Sequence, residues 1–335
     1  MKCVKVPLKE LNDTRIKLME NGLMNMEYRI KAEKEFGYIP INDDIDDYEI
    51  VDVELEEIKK VPHNFSELLE GELTEEEIEN LRTSFDTIGD VVILEIPDNL
   101  ENKKQLIGDA ALKFTKRKSI YMKKSAIKGT TRVRDLEFLS GVDDSVTIHK
   151  EHGARLKLDV REVYFSPRLA TERKRVMESV KDGERILDMF CGIGPFPIVI
   201  AKNKDVEITA VDINEAAIRY LDENIELNKL NGSIETYCGD VREVSKSFNS
   251  KFDRIIMNLP GLAYTFLDVA VDLIEEDGII NYYEFSDSYE QGKKRLEDAC
   301  RKAGKEVEII NTRKVKSTSP GEWHVAIDGK IKKNS

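Results

Sequence analysis

The residues whose types and spacing best suit a chemical role lie between Ile186 and Phe196, where a hydrophobic stretch leads into a glycine turn. Gly192 and Gly194 let the backbone approach a ligand closely, and a helix that starts there offers free N–H groups. Proline stands at position 197, where a dinucleotide fingerprint needs its third glycine. Asp188 precedes the turn and would repel a pyrophosphate, but it suits a cationic amino-acid group. Taken alone, the turn also fits an ordinary strand-to-helix connection.

Two further acids follow the next two hydrophobic segments. Asp212 comes 24 residues after Asp188, and its two oxygens can accept both hydroxyls of a ribose. Asp240, in the sequence Cys-Gly-Asp-Val, is placed to accept a hydrogen bond from an exocyclic adenine amine. Each acid alone is typical of a helix cap or a turn. Three acids at successive strand ends of one sheet would face one crevice, and the sequence therefore predicts a nucleoside-binding site.

The elements that must position these acids alternate regularly after about residue 167. Strands are predicted at 185–189, 207–211, 235–238, 254–257 and 279–285, with helices between them that include 215–230, 264–276 and 289–303. This alternation predicts a doubly wound, mainly parallel α/β sheet. Segments 306–312 and 323–327 flank a turn and predict a final hairpin, whose last strand would be antiparallel. Residues 167–335 are expected to form one domain.

Two smaller α+β domains are expected before it, at residues 1–60 and 62–165. The acidic stretch at 42–47 reads as an exposed turn or linker, and Thr74-Glu75-Glu76-Glu77 resembles a helix-capping box. No apolar run approaches the ~18 residues of a membrane helix. The first seven residues are too polar for a signal peptide, so a cytoplasmic protein is expected. Four scattered cysteines and four histidines favour neither a disulfide framework nor a zinc site.

The charge is distributed unevenly along the chain. The net charge is -13, but residues 41–100 alone hold 20 acidic and three basic residues. Residues 103–134 hold 11 basic residues and a single acid, Asp109. We call residues 103–134 the basic segment. Such a run is typical of a surface that binds nucleic-acid phosphates. It also fits a solvated helix face beside an edge strand that lysines protect from pairing.

The fourth predicted strand of the sheet ends in Asn258-Leu259-Pro260-Gly261. Here the chain resembles the class I S-adenosylmethionine-dependent methyltransferases, which carry an Asn-Pro-Pro-Tyr-like sequence at this point when they methylate nitrogen of a planar base. Asn258 offers a donor and an acceptor to a base edge. A closer resemblance rests on segments 131–137 (TRVRDLE), 148–153 (IHKEHG) and 163–173 (VYFSPRLATER). These are similar to the archaeal and eukaryotic tRNA (guanine-N1-)-methyltransferases that modify position 37, next to the anticodon.

This resemblance, which covers about residues 119–328, implies a mechanism. Guanine N1 carries a proton at neutral pH, so a general base is required. Glu172 matches the family's base, and Arg132 matches the residue that neutralises charge on the adjacent carbonyl oxygen. Tyr164 would pack beside the extruded base, and Asn258 would hold its edge. No metal is needed, because the sulfonium of S-adenosylmethionine already activates the methyl group.

The resemblance also implies a fold, a cofactor site and a partner. We expect a Rossmann-like class I methyltransferase domain preceded by two RNA-binding domains, and a monomer that binds tRNA at the anticodon stem-loop and the elbow, with no membrane partner. The residues expected to bind S-adenosylmethionine are Arg168, Asp188, Phe190, Gly192, Gly194, Asp212, Asp240, Asn258 and Pro260.

Three other functions remain open on the sequence. The first is transfer of the aminocarboxypropyl arm of the same cofactor, as in wyosine-base synthesis. The second is a nicotinamide-dependent oxidoreductase, which the proline at 197 disfavours. The third is an inert RNA-binding adaptor, which the retained acids and Glu172 disfavour. Asn258-Leu259-Pro260-Gly261 together with Arg132 and Glu172 favours methyl transfer over the first alternative.

Overall fold

The computed structural model describes residues 1–58, 62–124 and 135–333 and divides into two compact units, Met1–Glu67 and Leu68–Ser335. Within the described ranges, the helices are all too short or too polar to cross a membrane. The three domain boundaries expected from the sequence stay a prediction.

The first unit is one sheet with one helix. Its four strands pair antiparallel in the order β2-β3-β1-β4. The apolar side chains of β1 and β3 alternate and form the core with Leu18 of the helix. The elements are β1 (Lys2–Pro7), α1 (Leu11–Glu20), β2 (Lys31–Glu33), β3 (Phe36–Pro40) and β4 (Glu49–Asp52).

The second unit begins with a mixed four-stranded sheet and a separate hairpin. The sheet has the order β5-β6-β7-β8, and β9 pairs antiparallel with β10. The predicted capping box is confirmed, since Thr74 accepts from the Glu77 N–H and Glu77 accepts from the Thr74 N–H. The elements are α2 (Glu75–Asn80), β5 (Asp86–Ile88), β6 (Val91–Leu94), α3 (Lys104–Thr115), β7 (Ser119–Lys123), β8 (Leu136–Gly141), β9 (Val146–Glu151) and β10 (Ala154–Asp159).

The rest of the second unit is the predicted Rossmann-like sheet. Seven strands stand in the order β13-β12-β11-β14-β15-β17-β16. The first five are parallel, and β17 is antiparallel to both β15 and β16, which confirms the expected hairpin. The elements are α4 (Ala170–Ser179), β11 (Arg185–Asp188), α5 (Pro195–Asn203), β12 (Glu207–Asp212), α6 (Glu215–Leu227), β13 (Ser233–Cys238), α7 (Val241–Val244), β14 (Phe252–Met257), α8 (Leu267–Leu273), β15 (Ile274–Ser286), α9 (Glu290–Lys302), β16 (Lys305–Ser319) and β17 (Glu322–Lys333).

The central strands β11 and β14 are apolar on both faces because helices cover both sides of a parallel sheet. The carboxyl ends of β11, β12, β13 and β14 consequently meet at one edge, and this edge carries the acids predicted from the sequence.

Three details differ from the sequence expectation. Strands β5 and β8 were not predicted. The helix expected at 264–276 is a 3-10 turn at Ala263–Phe266 followed by α8, and it ends at Leu273. Ile274 instead begins β15 and pairs with Phe252 of β14. The pairing partner, which lies far away in sequence, overrides the helical propensity of the acidic segment that follows.

Candidate active site

A cavity of about 310 Å³ opens at the carboxyl ends of the parallel strands. The residues that follow β11, β12, β13 and β14 form one side of it. The segment 164–169, which precedes α4, and the strands β15–β17 form the other side. A crevice at this edge is where ligands bind in open α/β sheets.

The glycine turn shapes the floor of this cavity. Gly192 and Gly194 have φ angles of +54° and +81°, which favour glycine. A Cβ at Gly194 would also overlap the side chain of Leu221 on α6. The turn therefore requires glycine at 194 for both conformation and packing, and it brings the backbone of Gly192 to the cavity wall.

Asp212 lies in the cavity wall at the end of β12. Its Oδ2 accepts from the Gly192 N–H at 2.7 Å, and its Oδ1 accepts from the Asn214 N–H at 2.9 Å. Burial raises the pKa of Asp212, and these two N–H groups oppose that rise. The carboxylate is thus fixed in orientation, while each oxygen keeps a lone pair for a ligand.

Asp188 lies deeper than Asp212 and is only 1% exposed. Its Oδ1 accepts from the Phe190 N–H at 3.2 Å. Burial raises its pKa from 3.8 to about 8, and the nearby charge of Asp212 adds to the rise. A cationic group bound nearby would favour the ionised carboxylate. Asp188 itself does not contribute to the cavity wall, but the two residues after it do.

Asp240 and Phe190 both line the cavity. Asp240 accepts from the N–H of Arg242 at 2.9 Å and forms an ion pair with the Arg242 guanidinium, which lowers the pKa of the carboxyl. The ring of Phe190 packs edge to face with Phe266 at 5.0 Å. The wall thus joins an apolar surface to a polar group at its rim.

Asn258 and Pro260, which follow β14, and Tyr164, which precedes α4, also line the cavity. The Oδ1 of Asn258 is buried and accepts no hydrogen bond from the part of the chain that the structure describes. A buried acceptor without a partner is unfavourable unless a ligand supplies the donor. Asn258 is therefore suited to hold a polar group of a bound molecule.

Glu172 lies apart from the cavity wall. It is on α4, 1% exposed, and accepts from the Nη2 of Arg175 at 2.7 Å and from the Tyr283 hydroxyl at 2.8 Å. Leu169, which directly precedes α4, and Arg173 of α4 do line the cavity.

Among the described residues, the predicted site residues Gly194 and Arg168 also do not line the cavity. The Nε of Arg168 donates to Asp86 of β5 at 2.6 Å, and Arg168 is not part of the cavity wall in the described ranges. Arg132 lies outside the described residues.

Several cavity residues were missed by the sequence analysis. Phe285 of β15, Lys316 of β16 and His324 of β17 all face it. Phe285 stands opposite His324 in the antiparallel register, and their rings lie 5.7 Å apart. Only the register of the hairpin brings them to the site, and no local motif carries that information.

The basic segment is largely neutralised where it is described. Six of its lysines and arginines pair with acids, among them Arg117 with Asp90 and Lys118 with Asp144. Many of these partners belong to the acidic residues at 41–100. The positive electrostatic field of the basic segment is therefore weaker than its number of lysines and arginines suggests.

Comparison with known proteins identifies the family. The description "TRM5/TYW2 methyltransferase domain" matches residues 147–310, "TYW2 N-terminal domain" matches 65–145, and "tRNA methyltransferase 5 N-terminal domain" matches 3–49. A tRNA (guanine(37)-N(1))-methyltransferase Trm5b of Pyrococcus abyssi is 42% identical over 98% of both chains. A tRNA(Phe) (4-demethylwyosine(37)-C(7)) aminocarboxypropyltransferase of Pyrococcus horikoshii is 32% identical over 80% of this chain and 96% of its own.

A solved structure agrees over the whole length. The complex of aTrm5 and tRNALeu has a TM-score of 0.85 and 40% identity, and it covers 98% of this chain and 99% of that one. Near-complete coverage at this identity, together with a Rossmann-like sheet that gathers Asp212, Asp240 and Asn258 at one cavity, shows that the chain belongs to the family of the tRNA (guanine(37)-N1)-methyltransferases.

Proposed function

We propose that this chain transfers the methyl group of S-adenosylmethionine to N1 of guanosine 37 of tRNA. The observation that carries the proposal is the single cavity that joins a nucleoside-binding wall to Asn258, Pro260 and Tyr164. This cavity has the acids and glycines suited to the cofactor and also a planar amide suited to a base. A relative that is 42% identical over 98% of both chains has a name that specifies this reaction.

The cavity residues fit S-adenosylmethionine. Asp212 would accept hydrogen bonds from the ribose hydroxyls, and Asp240 would accept one from the adenine amine. Asp188 would favour the cationic amino group, and Phe190 would contribute apolar surface. Gly192 and Gly194 allow close approach of the backbone. When bound, the cofactor supplies a methyl group that its sulfonium activates for transfer.

The chain itself must then remove one proton and orient one base. Glu172 is the proposed base for the N1 proton, because N1 has no free lone pair until that proton leaves. Arg132 would neutralise charge on the adjacent carbonyl oxygen. Asn258 would hold the base edge with its unpartnered acceptor, while Tyr164 and Pro260 would confine the ring. Exclusion of water from the cavity strengthens each of these interactions.

The proposed partner is tRNA, because a relative that is 40% identical over 98% of this chain was solved in complex with tRNALeu. We place the anticodon stem-loop at the cavity and assign the first unit to the elbow. The basic segment would add phosphate contacts, although its ion pairs must rearrange to release positive charge. A chain with its own RNA-binding domains needs no dimer, so we expect a monomer. The described cysteines are free thiols, which supports a reducing compartment such as the cytoplasm.

The decisive experiment labels the cofactor at two positions. The protein is incubated with S-adenosylmethionine that carries the label either on the methyl group or on the carboxyl carbon. Each labelled cofactor is tested with unmodified tRNA and with tRNA that carries 4-demethylwyosine at position 37, the substrate in the name of the related transferase. Methyl transfer puts only the methyl label into tRNA, whereas aminocarboxypropyl transfer puts only the carboxyl label there. We expect the methyl label alone, at guanosine 37.

Two controls separate the remaining alternatives. A transcript with adenosine at position 37 tests the target base, and we expect it to take up no label. An inert adaptor would bind tRNA and transfer neither label. An oxidoreductase would bind NADH in place of S-adenosylmethionine. Label in tRNA from the carboxyl carbon would refute the proposal in favour of the related transferase.

A further inference from the structure

The buried side chain of Glu172 is held by a polar cluster that the proposed function does not explain, and the central member of this cluster, Arg175, is 22% exposed. The guanidinium of Arg175 donates to both carboxylate oxygens of Glu172, with its Nε at 3.2 and 3.1 Å and its Nη2 at 2.7 Å. The same guanidinium donates to Asp328 of β17 from Nη1 at 2.6 Å and from Nη2 at 3.2 Å. One cation therefore serves two carboxylates that are nearly inaccessible to water.

Asp328 is itself fixed in place. It accepts from the Nδ2 of Asn281 at 2.7 Å and from the Nδ2 of Asn311 at 3.0 Å. These contacts leave Asp328 few ways to move, so the position of Arg175 is set by β15, β16 and β17 rather than by α4 alone. A guanidinium held in this way is a rigid, permanently charged fork.

Four charged or titratable groups face Glu172 from the elements around it. They are Arg175 on α4, Tyr283 on β15, Arg313 on β16 and, through Arg175, Asp328 on β17. Burial raises the pKa of Tyr283 well above its ordinary value, so its hydroxyl remains a neutral donor. Arg313 lies farther away, at 3.5 Å, and is 35% exposed. Arg175 is thus the main buried positive charge beside Glu172.

We infer that Arg175 is a positioning residue of the reaction, which keeps the carboxylate of Glu172 ionised in a buried site and releases it when the target base enters. This inference rests on the proposed role of Glu172 as the base. A buried carboxylate beside a second carboxylate would take up a proton without a cation between them. A protonated Glu172 cannot accept the proton of guanine N1.

The geometry also explains why Glu172 does not line the cavity. Its oxygens accept hydrogen bonds from Arg175 and Tyr283, so it must exchange them for the target base during the reaction. Leu169, which directly precedes α4, and Arg173, the next residue along α4, already face the cavity. A change of side-chain rotamer is a small motion compared with a movement of the helix.

The experiment is the pH dependence of the single-turnover methylation rate, measured with full-length protein, saturating S-adenosylmethionine and unmodified tRNA from about pH 5.5 to about pH 9. In Arg175→Gln we expect the midpoint of the acidic limb to rise by about one pH unit or more, and the rate to recover at high pH. Arg175→Lys keeps the charge and should restore most of the wild-type midpoint. Asp328→Asn removes the competing negative charge and should lower the midpoint.

The matched control is Arg254→Gln. Arg254 is 1% exposed, against 22% for the side chain of Arg175, and it donates to Glu184 at 2.8 Å and to Asn281 at 3.1 Å but not to Glu172. Its loss should lower stability and leave the midpoint in place. If Arg175 has only a structural role, the midpoint of folded Arg175→Gln should also be unchanged. This result would overturn the inference.

Two further outcomes are separable. If Arg175→Gln does not fold, Asp328→Asn decides, and an unchanged or raised midpoint in that variant overturns the inference. The rate of Glu172→Gln distinguishes the two proposals. Suppose that Glu172→Gln is slow and its rate has no acidic limb, while the midpoint of Arg175→Gln is unchanged. Glu172 then remains the proposed base, and only the role of Arg175 is refuted. A wild-type rate in Glu172→Gln removes both.

Discussion

The substitution Asp188→Asn is predicted to stabilise the ligand-free protein while it weakens cofactor binding. Asp188 is buried, and its pKa is raised from 3.8 to about 8 in the folded state. The unfolded chain therefore releases at neutral pH a proton that the folded chain retains. Below pH 3.8 Asp188 does not lower the free energy of unfolding. As the pH rises from there towards about 8, burial of Asp188 lowers the free energy of unfolding progressively.

The magnitude follows from the size of this shift. One pKa unit corresponds to about 1.4 kcal/mol, so Asp188 lowers the free energy of unfolding by up to roughly 4 kcal/mol at pH 7. Asparagine has no such loss and keeps an oxygen for the Phe190 N–H, but it buries an amide at a cost of about 1 to 3 kcal/mol. We expect a net stabilisation of roughly 1 to 3 kcal/mol near pH 7.

Urea unfolding followed by the fluorescence of Trp323 measures this effect. Trp323 is the single tryptophan and lies on β17 of the same sheet. The difference between variant and wild type should grow by about 3 kcal/mol between about pH 5.5 and pH 8. Asp222→Asn, which changes an exposed carboxylate on α6, is the control and should show no such growth. A difference that does not vary with pH would refute the reasoning.

Three other predictions concern the cavity and the RNA surface. Asp212→Ala should weaken S-adenosylmethionine binding by roughly 1.5 to 3 kcal/mol without affecting tRNA binding, and calorimetry with unchanged cofactor affinity would remove Asp212 from the site. Gly194→Ala should lower the urea midpoint more than Gly183→Ala, because both have positive φ but only position 194 has a side chain in the way; equal losses would mean that packing is unimportant. Charge reversal at 116–118 should weaken tRNA binding and flatten its salt dependence, whereas an unchanged slope would make the basic segment a solubility feature.

The sequence predicts the sheet well because its signals are local. The buried strands that end at Asp188, at Asp212 and directly before Asn258 each carry their own hydrophobic run and turn. Strand β5 is only three residues long and begins with an acid, so it has no such signal. Ile274 joins β15 rather than the preceding helix because Phe252 pairs with it across the sheet, which no short segment records.

The site is predictable only where strand ends define it. Arg175 is three residues from Glu172 on the same helix, but the other partners are distant in sequence: Tyr283 lies 111 residues from Glu172, and Asp86 lies 82 residues from Arg168. His324 reaches the cavity through the hairpin register. Such contacts depend on the tertiary fold, so the sequence could name Glu172 through family resemblance but could not predict the cluster that holds it.

The most direct test of the proposed chemistry is the single-turnover methylation rate of Glu172→Gln. Glutamine keeps the size and hydrogen-bonding reach of glutamate but has no basicity. We expect the chemical step to slow by about 100-fold to 10,000-fold, with tRNA and cofactor binding near wild type and partial rescue as the pH rises. A wild-type rate would contradict the account, and the search for the base would then move to Asp188 or Glu162.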